Sequence, residues 1–143
     1  MKIAIVGSQE KYWTPEQRAK VVKLIEKLYD PYDRETIYEH PKGGAYTQKL
    51  EPVEKILVSG ACPYGGVDIW AEIVADMKGV KKIIYPARTN DREGYRERNY
   101  EIAETCDVLY CFDPRGRGWS GGKWTMKMAK ELGKETHLVE IEQ

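Results

Sequence analysis

The 143-residue sequence holds few of the residues that usually build metal centres or disulfide frameworks. It has three cysteines, with no Cys-x-x-Cys pair among them, and only two histidines. An odd number of cysteines without paired spacing argues against a disulfide framework and against a Cys/His zinc site. We therefore expect Cys62, Cys106 and Cys111 to be reduced thiols that pack as small apolar groups, and we assign no metal ligands.

Net charge and long apolar runs are missing as well. Lys+Arg and Asp+Glu both number 23, which gives a formal net charge of zero. This balance disfavours broad binding to nucleic acid, which draws on an electropositive face, while leaving room for a local cationic pocket. No stretch approaches the ~18 apolar residues of a membrane span, and the sequence opens with MKIAIVG rather than a secretory signal. We therefore expect a cytoplasmic protein without a membrane partner.

Five short apolar segments alternate with helix-like stretches along the chain. The predicted strands are Lys2–Val6, Lys55–Ser59, Lys82–Pro86, Asp107–Phe112 and Thr136–Ile141. The first four are nearly continuous in apolar residues, as strands covered on both faces are, whereas the last alternates in the manner of an edge strand. This alternation of strands and helices predicts an α/β fold. We expect a three-layer, doubly wound, Rossmann-like domain with a mainly parallel five-stranded sheet of order 3-2-1-4-5.

Four helical patterns separate these strands within one domain spanning residues 1–143. The first begins at Thr14-Pro15-Glu16-Gln17, which combines an N-cap threonine, a first-turn proline and a capping-box glutamine. Apolar stripes predict the other helices over Val67–Met77, Gly94–Thr105 and Gly122–Leu132. The stripe of the second helix comprises Ile69, Trp70, Ile73, Val74 and Met77. Segment 30–52 has no clear period, and we interpret it as an elaborated connection.

Glycine-bearing loops follow strands one, two and four, where ligands bind at the switch point of such sheets. They are Gly7-Ser8-Gln9, Ser59–Asp68 and Asp113–Gly122. Glycines bring backbone N–H groups close to a ligand and a helix N-terminus adds partial positive charge, so phosphate is the favoured guest. The sequence lacks both G-x-x-x-x-G-K-[ST] and a G-x-G-x-x-G after the first strand, which argues against a P-loop NTPase and an ordinary NAD dehydrogenase. That the glycines only form turns stays open.

Charged residues flank the same loops. Six of the eight arginines lie between positions 88 and 117, namely Arg88, Arg92, Arg96, Arg98, Arg115 and Arg117. Guanidinium groups suit phosphate or carboxylate, although Arg92 and Arg96 also fit an exposed helix face beside glutamates. Asp68 opens a helix, so it either caps that helix or accepts hydrogen bonds from a ribose or base.

Aromatic residues accompany these loops too. They are Tyr12, Trp13, Tyr64, Trp119 and Trp124. Each has a ring that could stack on a nucleobase, whereas Trp70, at helical spacing, is expected in the core.

The segments ILVSGACPYGGVDIWAEIVA, YRERNYEIAETCDVLYCF and SGGKWTMKMAKELGK, in this order, resemble the SLOG superfamily of Rossmann-like proteins. That superfamily includes the Lonely Guy phosphoribohydrolases, once called lysine decarboxylase-like, and the DNA-processing protein A family; the small single-domain branch is the most similar. The resemblance covers Lys2–Ser8 and most of Lys55–Ile141, and it implies a site for a nucleotide or nucleotide-derived ligand. The predicted binding residues are Gly7, Ser8, Gln9, Ser59, Gly60, Ala61, Gly65, Gly66, Asp68, Arg98, Asn99, Ser120, Gly121, Gly122, Trp124 and Thr125.

One departure from the family concerns catalysis. The phosphoribohydrolases carry a PGGxGTxxE signature whose glutamate serves cleavage of the N-glycosidic bond. Here Ser120 replaces the proline, Trp124 the third glycine and Met128 the glutamate. A thioether cannot act as a general base, so the phosphate-binding part is retained while the catalytic carboxylate is not. The remaining catalytic candidates are Asp68, Arg98 and Asp113.

Three functions stay open at this point. The first is binding of a small phosphorylated, nucleotide-type ligand, as in a sensor. The second is a hydrolase that cleaves an N-glycosidic or phosphoribosyl bond, with Asp68 or Asp113 in place of the missing glutamate. The third, by analogy with DNA-processing protein A, is binding of single-stranded nucleic acid, which the zero net charge disfavours. No cofactor beyond the nucleotide-type ligand is assigned, and a homodimer stays open because relatives commonly pair through helices.

Overall fold

A parallel sheet between two layers of helices organises the chain. The computed structural model describes residues 1–32, 37–39, 45–47 and 52–143, and for 37–39 and 45–47 it describes the backbone alone. The strands are β1 (Lys2–Gly7), β2 (Ile37–Glu39), β3 (Ala45–Thr47), β4 (Ile56–Ser59), β5 (Lys81–Ile84), β6 (Val108–Pro114) and β7 (Glu135–Ile141). The helices are α1 (Pro15–Leu28), α2 (Val67–Lys78), α3 (Arg92–Thr105) and α4 (Gly121–Glu131), with a short 3-10 helix at Glu10–Tyr12.

The sheet has the order β5-β4-β1-β6-β7 and every pair in it is parallel. This confirms the predicted order 3-2-1-4-5 and the predicted edge position of the last strand. In the central strand, Ala4 pairs with Val58 on one side and with Leu109 on the other. The order of strands therefore reverses between β1 and β6, where Gly7 pairs with Phe112. This is the position at which such sheets bind ligands.

Two hydrophobic cores lie on opposite faces of the sheet because side chains alternate along a strand. In β1, Ile3 and Ile5 join the core beneath α1 and α2, whereas Ala4 and Val6 join the core beneath α3 and α4. All four side chains are buried. This arrangement confirms the three-layer fold.

The apolar stripe of α2 is turned from the position that its spacing predicts. Trp70 and Val74 are buried as expected, but the side chains of Ile73 and Met77 are 47% and 78% exposed. Ala71 and Ala75 take the inward positions, at 0% exposure each. Small alanines let a helix approach the sheet closely, so the buried face is centred on them rather than on the larger residues.

The start of α1 has the predicted capping box. Thr14 Oγ1 accepts a hydrogen bond from the Gln17 amide at 3.2 Å, and the Thr14 amide donates to Gln17 Oε1 at 3.0 Å. Gln17 also donates through Nε2 to the Ile141 carbonyl at 3.1 Å, which ties the helix to the end of β7. The cap therefore also fixes the position of α1 against the sheet.

The elaborated connection contains one antiparallel strand pair. Strands β2 and β3 pair with Ile37 opposite Thr47, apart from the main sheet. Positions 33–36, 40–44 and 48–51 of this connection lie outside the described residues. Within the part of the chain that the structure describes, no helix is long and apolar enough to cross a membrane.

We expect Gly7→Ala to destabilise the fold. A Cβ at this position would collide with the Phe112 carbonyl oxygen and with the Val67 side chain. Forcing a methyl group into such a contact typically costs about 1–3 kcal/mol, which urea unfolding would measure as a lower free energy of unfolding. Gly121→Ala is the control, because its Cβ would meet nothing within 4 Å. Equal stabilities of the two variants would contradict this expectation.

Candidate functional site

A cleft of about 250 Å³ opens at the carboxyl ends of β1 and β6. Its walls come from the loop after β1, the loop into α2, one face of α3 and the loop into α4. The lining residues are Val6, Gly7, Ser8, Gln9, Tyr12, Cys62, Tyr64, Asp68, Tyr95, Arg98, Asn99, Arg117, Ser120, Gly121, Gly122 and Thr125.

A buried carboxylate supports the floor of this cleft. Asp113, at the end of β6, is 0% exposed and accepts hydrogen bonds from Ser8 Oγ at 2.6 Å and Ser120 Oγ at 2.8 Å. The Lys123 ammonium lies 3.6 Å from the same carboxylate. Asp113 is thus beneath the cleft rather than in its lining. Its geometry is that of a positioning group, whereas the sequence marked it as a catalytic candidate.

The N-terminus of α4 faces the cleft. Ser120 is its N-cap and accepts the Lys123 amide through Oγ at 3.2 Å. The N–H groups of Gly121 and Gly122, in the first turn, have no acceptor within the helix. A Cβ on Gly122 would lie 2.9 Å from the Gly7 backbone nitrogen, so glycine allows the helix to begin directly against β1. The result is a donor pair with partial positive charge, suited to an anion.

Arg117 adds a cation on the same side. Its guanidinium carbon lies 3.7 Å from the centroid of the Tyr12 ring, and Nη1 donates to the Trp119 carbonyl at 3.2 Å. Its Nε is buried and has no hydrogen-bond partner among the described residues. A buried donor without a partner is costly, and the positive charge of Arg117, which lines the cleft, favours an anion there.

Arg98 is held rigidly on the opposite wall. It is 7% exposed, donates through Nη1 to the Gly60 carbonyl at 2.5 Å and through Nε to Asn99 Oδ1 at 2.8 Å. Its guanidinium also lies 5.5 Å from the Tyr95 ring centroid. Gly60 allows this position, because a Cβ there would collide with the guanidinium.

Asp68 lies in the first turn of α2 with only 8% of its surface exposed. Burial raises the pKa of this carboxyl to about 7, with the Arg98 charge opposing the rise and Glu72 adding to it. The N-cap of the helix is Gly66, so Asp68 does not take the N-cap position that its place in the sequence left open. A carboxyl that titrates near neutral pH and lines a cleft is suited to proton transfer.

The loop between β4 and α2 supports the cleft from behind. Glu72 Oε2 accepts hydrogen bonds from Ser59 Oγ at 2.7 Å and from the Ala61 amide at 3.1 Å. Glu10 Oε2 accepts from the Gly66 amide at 3.2 Å and from Trp70 Nε1 at 2.9 Å. Two glutamates therefore hold the loop in place, in part through Ser59, Ala61 and Gly66, which the sequence assigned to ligand binding.

The structure brings most of the predicted binding residues together. Those that line the cleft are Gly7, Ser8, Gln9, Asp68, Arg98, Asn99, Ser120, Gly121, Gly122 and Thr125. The predicted residues outside this lining are Ser59, at the end of β4, and Gly60, Ala61, Gly65 and Gly66, in the loop that follows, while Trp124 lines a neighbouring groove. That they all serve a ligand stays a prediction.

Sequence reasoning assigned no site role to three lining residues, Val6, Cys62 and Tyr95, and it left Arg117 in a general arginine cluster. Tyr95 precedes Arg98 by three positions on α3, so helical spacing alone places both on one face. Cys62 was expected to be buried like Cys106 and Cys111, but it is half-buried and lines the cleft. Burial raises the pKa of its thiol, with Asp68 adding to the rise, which makes it a weak nucleophile at neutral pH.

Arginine and backbone N–H groups are the features of this cleft that suit an anion. Among residues 1–32 and 52–143, no group of three or more His, Cys, Asp or Glu side chains could hold a metal ion.

Comparisons of the chain with protein-family models, with curated proteins and with solved structures found no match. The resemblance to the SLOG superfamily therefore rests on sequence motifs and stays a prediction, and the function has to be inferred from the site.

We expect Asp68 to make stability depend on pH. Its folded pKa of about 7 lies above the ordinary value of 3.8, so the stabilisation of the folded state by the bound proton is complete below pH 4. That stabilisation is lost as pH rises from about 4 to about 7, by roughly 1.4 kcal/mol per pH unit at most. Asp68→Asn removes this titration. The free energy of unfolding of the variant, measured in urea, should therefore rise relative to wild type between pH 4.5 and pH 8.

The matched control is Asp76→Asn on the same helix, where the side chain is 63% exposed. The free energy of unfolding of Asp68→Asn relative to wild type should change more over this pH range than that of Asp76→Asn, because only Asp68 is buried. A pH-independent offset for Asp68→Asn would show that Asp68 titrates normally.

Proposed function

We propose that the cleft binds a small, nucleotide-derived phosphorylated ligand, with a phosphate at the N-terminus of α4. The observation that carries this proposal is the group of donors on one side of the cleft. Gly121 and Gly122 present N–H groups without intrahelical acceptors, and the buried Nε of Arg117 has no partner among the described residues. Phosphate oxygens would accept from the two helix N–H groups, and their charge would interact favourably with the helix dipole and with the Arg117 guanidinium.

The shape and position of the cleft support a small molecule. It lies at the switch point between β1 and β6, and its volume of about 250 Å³ suits a ligand of modest size. Asp68 and Arg98 line the cleft as well, so its walls offer charged and hydrogen-bonding groups to a phosphate and to a ribose. The motif resemblance to the SLOG superfamily favours the same class of ligand. A sensor that responds to such a ligand is consistent with the absence of the family's catalytic glutamate at Met128.

Asp68 favours hydrolysis of an N-glycosidic bond as a second candidate function. With a pKa of about 7, the carboxyl can hold a proton at neutral pH in the cleft. It would donate that proton to the base nitrogen as the bond to C1′ breaks. Water would then add to C1′ and return its proton to the carboxylate, so that the products are a free base and a sugar phosphate. Arg98 would act on this carboxyl through its charge, which opposes the rise in the pKa of Asp68, while Gly60 and Asn99 accept its hydrogen bonds.

We expect Gly121→Asp to abolish ligand binding without unfolding the protein. A Cβ at Gly121 meets nothing within 4 Å, and an acidic residue in the first turn stabilises a helix. The same charge repels phosphate. The test is a thermal-shift panel of AMP, ADP, ATP, NAD, ADP-ribose, cyclic nucleotides and phosphoribose. A ligand at 100 times its dissociation constant stabilises wild type by about 2.7 kcal/mol, which is several degrees.

Gly121→Asn is the matched control, since it adds the same bulk without the charge. We expect it to keep a larger share of the thermal shift than Gly121→Asp does. Absence of any thermal shift of wild type across the whole panel would reject the proposed function. Equal effects of the two variants would show that the phosphate does not bind at the N-terminus of α4.

The hydrolytic candidate predicts that wild type releases a free base from a nucleoside monophosphate. Asp68→Asn should then lose turnover by roughly 100-fold or more while it still binds the substrate, because the amide has no proton to transfer in this step. Chromatographic detection of adenine released from AMP measures the rate, with Asp76→Asn as the control. If wild type releases no base from any of the four common monophosphates, the hydrolytic candidate is rejected and ligand binding remains as the proposed function.

A further inference from the structure

A second depression of about 450 Å³ lies beside the cleft, and we call it the aromatic groove. It shares Tyr64, Tyr95, Asn99 and Gly121 with the cleft, so the two spaces adjoin. Its own walls add Trp119 and Trp124, together with the polar residues Asn90, Asp91, Arg92 and Arg96.

The rings of this groove contribute little to the core. Trp119 is 62% exposed and Tyr64 is 55% exposed, while Trp124 is half-buried beside the Arg96 guanidinium, 5.9 Å from its ring centroid. Large rings left in water at a concave surface are more typical of binding sites than of structural positions. Gly118 precedes Trp119 with a φ of 74°, a left-handed conformation that positions the indole at the rim of the groove.

The groove and the phosphate side of the cleft are linked through two residues. The Trp119 carbonyl accepts the hydrogen bond from Arg117, whose Nε is the buried donor of the cleft. Gly121 lines both spaces and carries one of the free N–H groups of α4. A phosphate held at Gly121 would therefore lie where the cleft and the groove share a wall.

We propose that the aromatic groove is a base subsite, which holds the aromatic base of a nucleotide whose phosphate occupies the cleft. This inference rests on the proposed function and narrows its ligand class to nucleotides that carry a base, in preference to plain sugar phosphates. Stacking on Trp119 and Tyr64 supplies the contact, and the amides of Asn90 and Asn99 are available at the edges of a base. Arg96, already beside Trp124, adds a cation that favours an electron-rich ring.

A single nucleotide fits the charge distribution better than a nucleic-acid strand. The chain has zero net charge, and the groove places Asp91 beside Arg92 and Arg96 rather than offering a continuous cationic stripe. Binding of a long strand draws on such a stripe. The groove thus favours one base next to one phosphate.

The test compares ligands with and without a base. Isothermal titration would measure the dissociation constants of AMP, GMP, CMP, UMP and ribose 5-phosphate for wild type, Trp119→Ala and Trp119→Phe. We expect Trp119→Ala to weaken the tightest monophosphate by roughly tenfold and to leave ribose 5-phosphate unchanged, because only the base stacks on this ring. Trp119→Phe retains a stacking ring and should stay within about threefold of wild type. Since the Trp119 side chain is exposed, both variants should keep the melting temperature of wild type.

Each remaining outcome separates this inference from the proposed function. Equal affinities of wild type for ribose 5-phosphate and for every monophosphate, unchanged in Trp119→Ala, would overturn the base subsite and leave the phosphate site intact. No binding of any of these five ligands would overturn the base subsite, whereas the proposed function is rejected only if the whole thermal-shift panel also gives no shift. Tighter binding of a single-stranded oligonucleotide than of any monophosphate, with an affinity that falls steeply as salt rises, would overturn the mononucleotide class.

Discussion

The site depends on one buried carboxylate. Asp113 has no exposed surface, and burying a charge is costly unless it is paired and hydrogen-bonded. Here the Ser8 and Ser120 hydroxyls donate to it and the Lys123 ammonium lies 3.6 Å away, so the cost is offset by charge-assisted bonds. Because Ser8 follows β1 and Ser120 caps α4, this single group fixes the distance between the two loops that flank the switch point. The width of the cleft follows from it.

Close contacts of the backbone at glycines, together with the Asp113 carboxylate, determine the shape of the cleft. Gly122 lets α4 start against Gly7, and Gly60 admits the Arg98 guanidinium to its carbonyl. None of these contacts leaves room for a side chain, so the donors and charges of the cleft are held in position before any ligand arrives. Preorganisation of this kind lowers the entropic cost of binding, which suits a small ligand that offers few contacts of its own. The walls of the cleft are therefore rigid, because these glycines allow close packing here rather than making the chain flexible.

The sequence predicted the fold well, because continuous apolar strands and their alternation with helices leave few topologies open. It also located most of the cleft, since the switch-point rule selects loops before any motif is considered. It could not predict how deeply each carboxylate lies beneath the surface, or how helix α2 is rotated about its own axis. Nothing in the spacing distinguishes Asp113, beneath the cleft, from Asp68 in its lining, and the stripe of α2 could not reveal that Ala71 faces inward instead of Ile73. Those differences arise from tertiary packing, which periodicity does not encode.

The two proposed functions, ligand binding and hydrolysis, both depend on the proton on Asp68. In the proposed complex, a phosphate occupies a cleft that this carboxyl also lines, and like charges in one site favour protonation of the weaker acid. The pKa of Asp68, already raised by burial, is then higher in the complex than in the free protein, so binding takes up a proton near neutral pH. By the same linkage, affinity falls as pH rises through this range. A binder would use the bound proton to reduce repulsion, whereas a hydrolase would deliver it to the leaving base. Both proposed functions therefore begin from the same complex, with a phosphate in the cleft and a proton on Asp68. They differ in whether the ligand places a base nitrogen within reach of that proton.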